Sequence, residues 1–129
     1  MSNSQPTDTK KKTLIVEDDV YLSDVYRTKF EKEGYEVKVS SDGESGVKTA
    51  IEWRPDIILL DIMLPKMDGF DVLEELKNHA ETKSIPVIMW TNKSDSTEAE
   101  RAKKMGATEY LVKVYHTPTE IVDKIKNHL

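Results

Sequence analysis

Five residues far apart in the chain have types that could do chemistry together: Glu17, Asp18, Asp61, Thr91 and Lys113. Each stands at the end of a short apolar run. Asp61 follows Ile57–Leu60 and precedes a loop holding Pro65, Asp68 and Gly69. Glu17 and Asp18 follow TLIV, Thr91 closes IPVIMWT, and Lys113 closes EYLVK. Where such ends share a crevice, two carboxylates about 5 Å apart repel by roughly 3 kcal/mol at an effective dielectric near 20. The cluster must therefore bind a proton, a lysine or a divalent cation. Oxygen ligands from separate strand ends suit Mg2+, which keeps several waters and takes one or two carboxylates plus a phosphate. A loop carbonyl near Met63 is placed to complete such a site. Lys113 and Thr91 add a cation and a hydroxyl for the oxygens of an incoming anion. Together these groups describe a site for a phosphoryl group. Asp61, the one carboxylate ending a central strand, is its candidate nucleophile.

The elements that must bring these residues together are legible as alternating periodicities. TLIVE (13–17), IILL (57–60) and IPVIMWT (85–91) are short apolar runs of the kind buried on both faces of a sheet. YEVKVS (35–40) alternates as a strand, and EYLVK (109–113) reads as a fifth. Between them run helical patterns. Leu22, Val25, Tyr26 and Phe30 share one face, with Gly34 as a stop, and Val47, Ala50 and Ile51 share another, ended by Arg54-Pro55. Phe70, Leu73 and Leu76 follow Gly69, and a charged helix runs from about Ser94 to Met105, before Gly106. Thr117-Pro118-Thr119-Glu120 opens the last helix as a capping box with proline at its first position. Five strands alternating with five helices predict a parallel sheet covered on both faces. Ligands of such sheets bind beyond the carboxyl ends of the strands.

Composition sets the boundaries of the reading. At 129 residues, 37% hydrophobic and 33% charged, the chain suits one globular domain. A net charge of −5 argues against direct DNA binding, and no apolar stretch reaches membrane-spanning length. There is no cysteine, which fits a reducing cytoplasm. Residues 1–12 lack the apolar stretch of a signal peptide and are expected to form a disordered tail ahead of a domain at 13–129. Trp53 and Trp90 read as packing residues. His79, His116 and His128 show no metal spacing and are expected at the surface, and Asp19 reads as an acid opening the first helix. A purely structural ion pair is the plain alternative for Asp61 and Lys113.

The motifs LIVEDD, DIILLDIMLPKMDG, PVIMWT and GATEYLVK, in this order and spacing, resemble the receiver domain of bacterial two-component response regulators, here of the stand-alone single-domain type. The resemblance spans about residues 13–129. It implies a flavodoxin-like α/β fold, a doubly wound (βα)5 sheet with strand order 2-1-3-4-5. It implies that Asp61 accepts phosphate from a histidine kinase or another phosphohistidine donor. Mg2+, or Mn2+ in its place, would be held by Glu17, Asp18, Asp61 and the Met63 carbonyl, Asp18 more directly than Glu17. Thr91 and Lys113 would hold the phosphoryl oxygens, and Asn92, a departure from the family, is placed by its own chemistry to bond them as well. Thr91 would then move inward, and Tyr110 would follow into the vacated room. The face of helix 4, strand 5 and helix 5 would change its preference for an output protein, or pair weakly with a second copy. The protein would be no enzyme beyond self-catalysed phosphotransfer and autodephosphorylation.

Departures from the family pattern cluster beside the site. Val114 follows Lys113 where a cis-proline is usual, and a trans bond is expected here, because a cis bond before valine costs about 2.5–4 kcal/mol. Asn92 stands where Ala or Gly is usual. With Met63 and Lys93, it is expected to set the lifetime of the phosphoryl group. Two rival readings remain. A phosphatase of the haloacid-dehalogenase kind needs a second acid two residues after the nucleophile, where this chain has Met63. A degenerate receiver would bind partners without phosphorylation, against which the complete acid set and Lys113 speak.

Overall fold

The computed structural model describes residues 10–129. The alternating patterns become β1 (Lys12–Val16), α1 (Val20–Lys32), β2 (Glu36–Ser40), α2 (Gly43–Trp53), β3 (Ile57–Leu60), α3 (Gly69–Asn78), β4 (Val87–Thr91), α4 (Ser96–Lys104), β5 (Glu109–Val112) and α5 (Pro118–Lys126). The strands are parallel, in the order β2-β1-β3-β4-β5. β1 and β3 are neighbours although β2 lies between them in sequence, so the order reverses there. A crevice opens at that switch point, beyond the strands' carboxyl ends.

Two apolar layers hold the sheet. On one face Leu14, Val16, Ile58, Leu60 and Met89 pack under Ala50 of α2, Leu73 and Leu76 of α3, and Ala102 of α4. On the other, Ile15, Ile57, Leu59, Ile88 and Trp90 pack under Tyr26 and Phe30 of α1 and Ile121 and Ile125 of α5. β1, β3 and β4 therefore show continuous apolar runs, whereas edge strand β2 alternates.

Local chemistry sets the helix ends. Asp19, Asp42, Asp68, Asp95 and Thr117 each accept a first-turn backbone N–H, with complete capping boxes at Asp68 and Thr117. Gly34 and Gly106 take positive φ (93° and 101°) just past α1 and α4.

Three expectations shift. Residues 1–9 of the expected tail lie outside the described residues, and Lys12 already belongs to β1. Its N–H donates to Asp56 Oδ2 (2.7 Å) and its Nζ to the Trp53 carbonyl (2.7 Å), which carries pairing one residue further back. β4 starts at Val87 rather than Ile85, because Pro86 has no N–H to give the ladder. β5 ends at Val112, opposite Thr91, and Lys113 opens a 3-10 turn through Tyr115 instead of closing the strand. The Lys113–Val114 peptide is trans, as are all the described peptides.

Candidate phosphoryl site at the strand ends

The crevice is assembled by backbone pairing that continues past the strands. The Asp61 N–H donates to the Val16 carbonyl (3.0 Å) and the Glu17 N–H to the Ser40 carbonyl (2.9 Å), so both acids leave rigid strand ends. Gly69 fixes the far side of Asp61. A Cβ at Gly69 would lie 2.4 Å from the Asp61 carbonyl oxygen, so α3 starts against that backbone only because the side chain is missing. Gly43 brings the start of α2 against the Met67 carbonyl in the same way.

Glu17, Asp18 and Asp61 each present a carboxylate oxygen within 4.8 Å of the others. Glu17 and Asp61 are buried and Asp18 is exposed. Lys113 reaches over from its turn and donates to Glu17 Oε1 and to Asp61 Oδ2 (3.1 Å). The second Glu17 oxygen accepts from the Asp19 N–H (3.0 Å), and Asp61 Oδ1 accepts from the Met63 N–H (3.3 Å). Burial pushes the Glu17 carboxyl above its ordinary value, and the hydrogen bonds from Lys113 and Asp19 only partly offset this. With every acid ionised, three carboxylates face one ammonium, leaving two negative charges unmatched. Such an all-oxygen cluster fits a hard divalent cation, which the exposed Asp18 would meet from the solvent side. Alongside lies a cleft of about 480 Å³ lined by Asp18, Ile62, Met63, Leu64, Pro65 and Lys93.

The other expected residues divide between the crevice and its rim. Thr91 is fully buried at the end of β4, where its Oγ1 accepts from the Lys93 N–H (3.4 Å). Tyr110 is half-buried and donates its hydroxyl to the Lys93 carbonyl (2.7 Å), so the backbone of one residue joins the two switch candidates. The Lys93 ammonium pairs with Glu98 of α4 (3.2 Å). Met63 is exposed on the cleft wall, and Asn92 is exposed next to Thr91 in sequence, outside the cleft lining. Asp19 caps α1, as its position suggested. The three histidines are half-buried rather than at the surface. His79 Nδ1 lies 2.8 Å from the Glu75 carbonyl, and His128 pairs with Glu109.

Sequence reasoning missed one residue. Trp90 packs in the core as expected, but the centroid of its ring also lies 4.3 Å from the Lys113 ammonium. Alternation along β4 puts Trp90 and Thr91 on opposite faces, so nothing local marks Trp90 as a neighbour of the site. Its contact depends on where β5 ends.

Known proteins resemble this chain in sequence and in fold. The family described as the response regulator receiver domain matches residues 13–126. A probable transcriptional regulator, ycf27 of Guillardia theta, is 34% identical over 119 residues, which are 92% of this chain and 45% of that protein. The chain spans about half the length of the curated relatives it matches. Chemotaxis protein CheY4 of Vibrio cholerae superposes with a TM-score of 0.87 at 26% identity, covering 94% of this chain and all of that one. The receiver domain of sensor histidine kinase PA1611 of Pseudomonas aeruginosa superposes at 0.82 with 26% identity, covering 92% and 97% of the two chains. That structure carries a magnesium ion coordinated in its active site cleft.

Proposed function

The chain belongs to the response regulator receiver domain family, whose members are phosphorylation-activated switches, and from that premise we propose that Asp61 is its phosphoacceptor. The observation that carries this reading is the convergence of Glu17, Asp18 and Asp61 within 4.8 Å, with Lys113 donating to two of them. An Asp61 oxygen attacks the phosphorus of a phosphohistidine. The O–P bond forms as the P–N bond breaks, and the imidazole nitrogen keeps the electron pair. Lys113 is already on Asp61 and needs only a small shift to pair with the new phosphoryl oxygens. Glu17, Asp18, Asp61 and the Met63 carbonyl are the groups to hold Mg2+, or Mn2+ with its similar taste for oxygen. When bound, the ion supplies positive charge for the transferring oxygens.

Thr91 is the hydroxyl that turns to the phosphoryl group, with Asn92 beside it, and Tyr110 answers through the backbone of Lys93. The readout is the face of α4, β5 and α5, toward an output protein or a second copy in a weak homodimer. Met63 and Lys93 line the entrance, Asn92 adjoins Lys93 in sequence, and the three set how fast donors and water arrive. The phosphodonor is a histidine kinase or phosphotransfer protein. Turnover is confined to self-catalysed phosphotransfer and autodephosphorylation, and the setting is cytoplasmic, with residues 13–129 as the working domain. Among the described residues no helix is long and apolar enough to cross a membrane. Transcriptional roles of the relatives are not carried over, because this chain matches under half of them and its net charge of −5 disfavours DNA.

The test is incubation with acetyl phosphate, with and without Mg2+, followed by intact mass. A single Mg2+-dependent phosphoryl adduct is expected, and its absence from Asp61→Asn locates it. Steady hydrolysis of a phosphomonoester would favour the phosphatase reading, and failure to form any adduct the degenerate one.

A further inference from the structure

Trp90 is fully buried, and its Nε1 lies beside the Tyr26 hydroxyl without forming a well-aligned hydrogen bond to it. An unpaired buried N–H is costly, and a phenylalanine or leucine would fill a core without it. An indole here calls for a use of its ring. One side of it meets the edge of Tyr26, with centroids 4.7 Å apart and planes at 70°. Its π-system also holds the Lys113 ammonium, at 4.3 Å. Indole faces are the strongest of the aromatic partners for a cation.

Lys113 draws on such a partner because strand pairing no longer holds it. It sits past the last paired residue of β5, in a three-residue turn where Val114 and Tyr115 are 72% and 67% exposed. The turn itself adds little cover, but the Lys113 side chain is only 13% exposed, so its four-carbon stem runs inward toward the crevice. Its head is held only at the far end, by Glu17, Asp61 and the ring. Phosphorylation of Asp61 alters the carboxylate contacts. The ring contact does not change charge.

We infer that Trp90 is a positioning residue for Lys113, its indole face holding the ammonium where it can pair with a phosphoryl group on Asp61. This rests on the reading of Asp61 as phosphoacceptor, and the test separates the two. The Lys113 ε-methylene protons, assigned by their loss in Lys113→Met, should resonate upfield of the other lysines through the ring current of Trp90. Trp90→Phe should keep part of that shift and most of the acetyl phosphate reaction rate. Trp90→Leu should lose the shift and react about 2- to 30-fold more slowly, the span of a cation–π contact. Phe30→Leu, a truncation in the same core away from Lys113, should lower Tm without slowing the reaction. Ordinary lysine shifts in the wild type would overturn the inference, whatever the variants do. So would rates that fall with Tm alike in Phe30→Leu and Trp90→Leu. A wild type with the upfield shift but no Asp61 adduct would instead sink the reading of Asp61, while supporting the placement of Lys113.

Discussion

Asp18 is the exposed member of a cluster in which the other two acids already share a lysine. Without a cation its charge is mostly a liability. Two unit charges 4.8 Å apart repel by about 3 kcal/mol at a dielectric near 20, and solvent around an exposed group reduces this to about 1 kcal/mol. Asp18→Asn should therefore raise Tm in EDTA while abolishing most of the Tm gain that Mg2+ gives the wild type. Melting both proteins with and without Mg2+ checks this, and an undiminished Mg2+ shift in the variant would remove Asp18 from the metal site. The types of Asp18, Asp61 and Lys113 were readable because each charge ends an apolar run, where an unpaired charge is expensive. Trp90 was not. An aromatic residue in a buried strand looks like packing until the end of the neighbouring strand places a cation on its face.

At the scale of elements, the loop from Asp61 to Gly69 joins chemistry to fold. Two glycines compress it: a Cβ on Gly69 would meet the Asp61 carbonyl, and one on Gly43 the Met67 carbonyl, each at 2.4 Å. Both contacts are backbone, which cannot move aside as a flexible side-chain tip can. Gly69→Ala and Gly43→Ala should each cost about 1–3 kcal/mol by overpacking. If Asp61 is the phosphoacceptor proposed above, only Gly69→Ala should also slow its phosphorylation beyond what the stability loss explains, because only there is the Asp61 backbone itself displaced. Denaturant melts paired with adduct formation rates distinguish the two, and equal rates would deny the loop this role. Asp68-Gly69 was legible as a helix start, since an acid before a periodic apolar face is a capping signal. The close approach at Gly69 was not, because sequence marks a glycine without saying what lies opposite it. The turn at Lys113 escaped for a related reason: EYLVK alternates well enough to continue as a strand, and only the end of β4 at Thr91 stops it.

For the whole molecule, the alternation of strands and helices was readable from periodicity, whereas the order of the strands came from the resemblance. Periodicity cannot say that β1 pairs with β3, because both are plain apolar runs. Nor could it show how the crevice communicates with the α4–β5–α5 face. The expectation was that Tyr110 follows Thr91 into vacated space. In the structure both bind the Lys93 backbone, Thr91 accepting its N–H and Tyr110 donating to its carbonyl. Burial, with Glu98 and Asp95 nearby, pushes the Tyr110 hydroxyl above its ordinary value, so it remains a donor at any physiological pH. A displaced Thr91 would thus pull on the peptide before Lys93 while Tyr110 anchors the one after it, and α4 would follow through the Lys93–Glu98 pair. Removing that anchor should loosen the switch without touching the acids. Tyr110→Phe keeps the ring and loses one hydrogen bond worth about 0.5–1.5 kcal/mol, a factor of roughly 2 to 12 in a two-state equilibrium. Amide hydrogen exchange over residues 92–98 of the unphosphorylated protein should quicken by that factor, while exchange in β1 and β3 stays at the wild-type rate. Unchanged exchange in that loop would mean that the Lys93 backbone does not couple the site to the face. Acceleration spread evenly over the chain would mean that Tyr110 serves global stability alone.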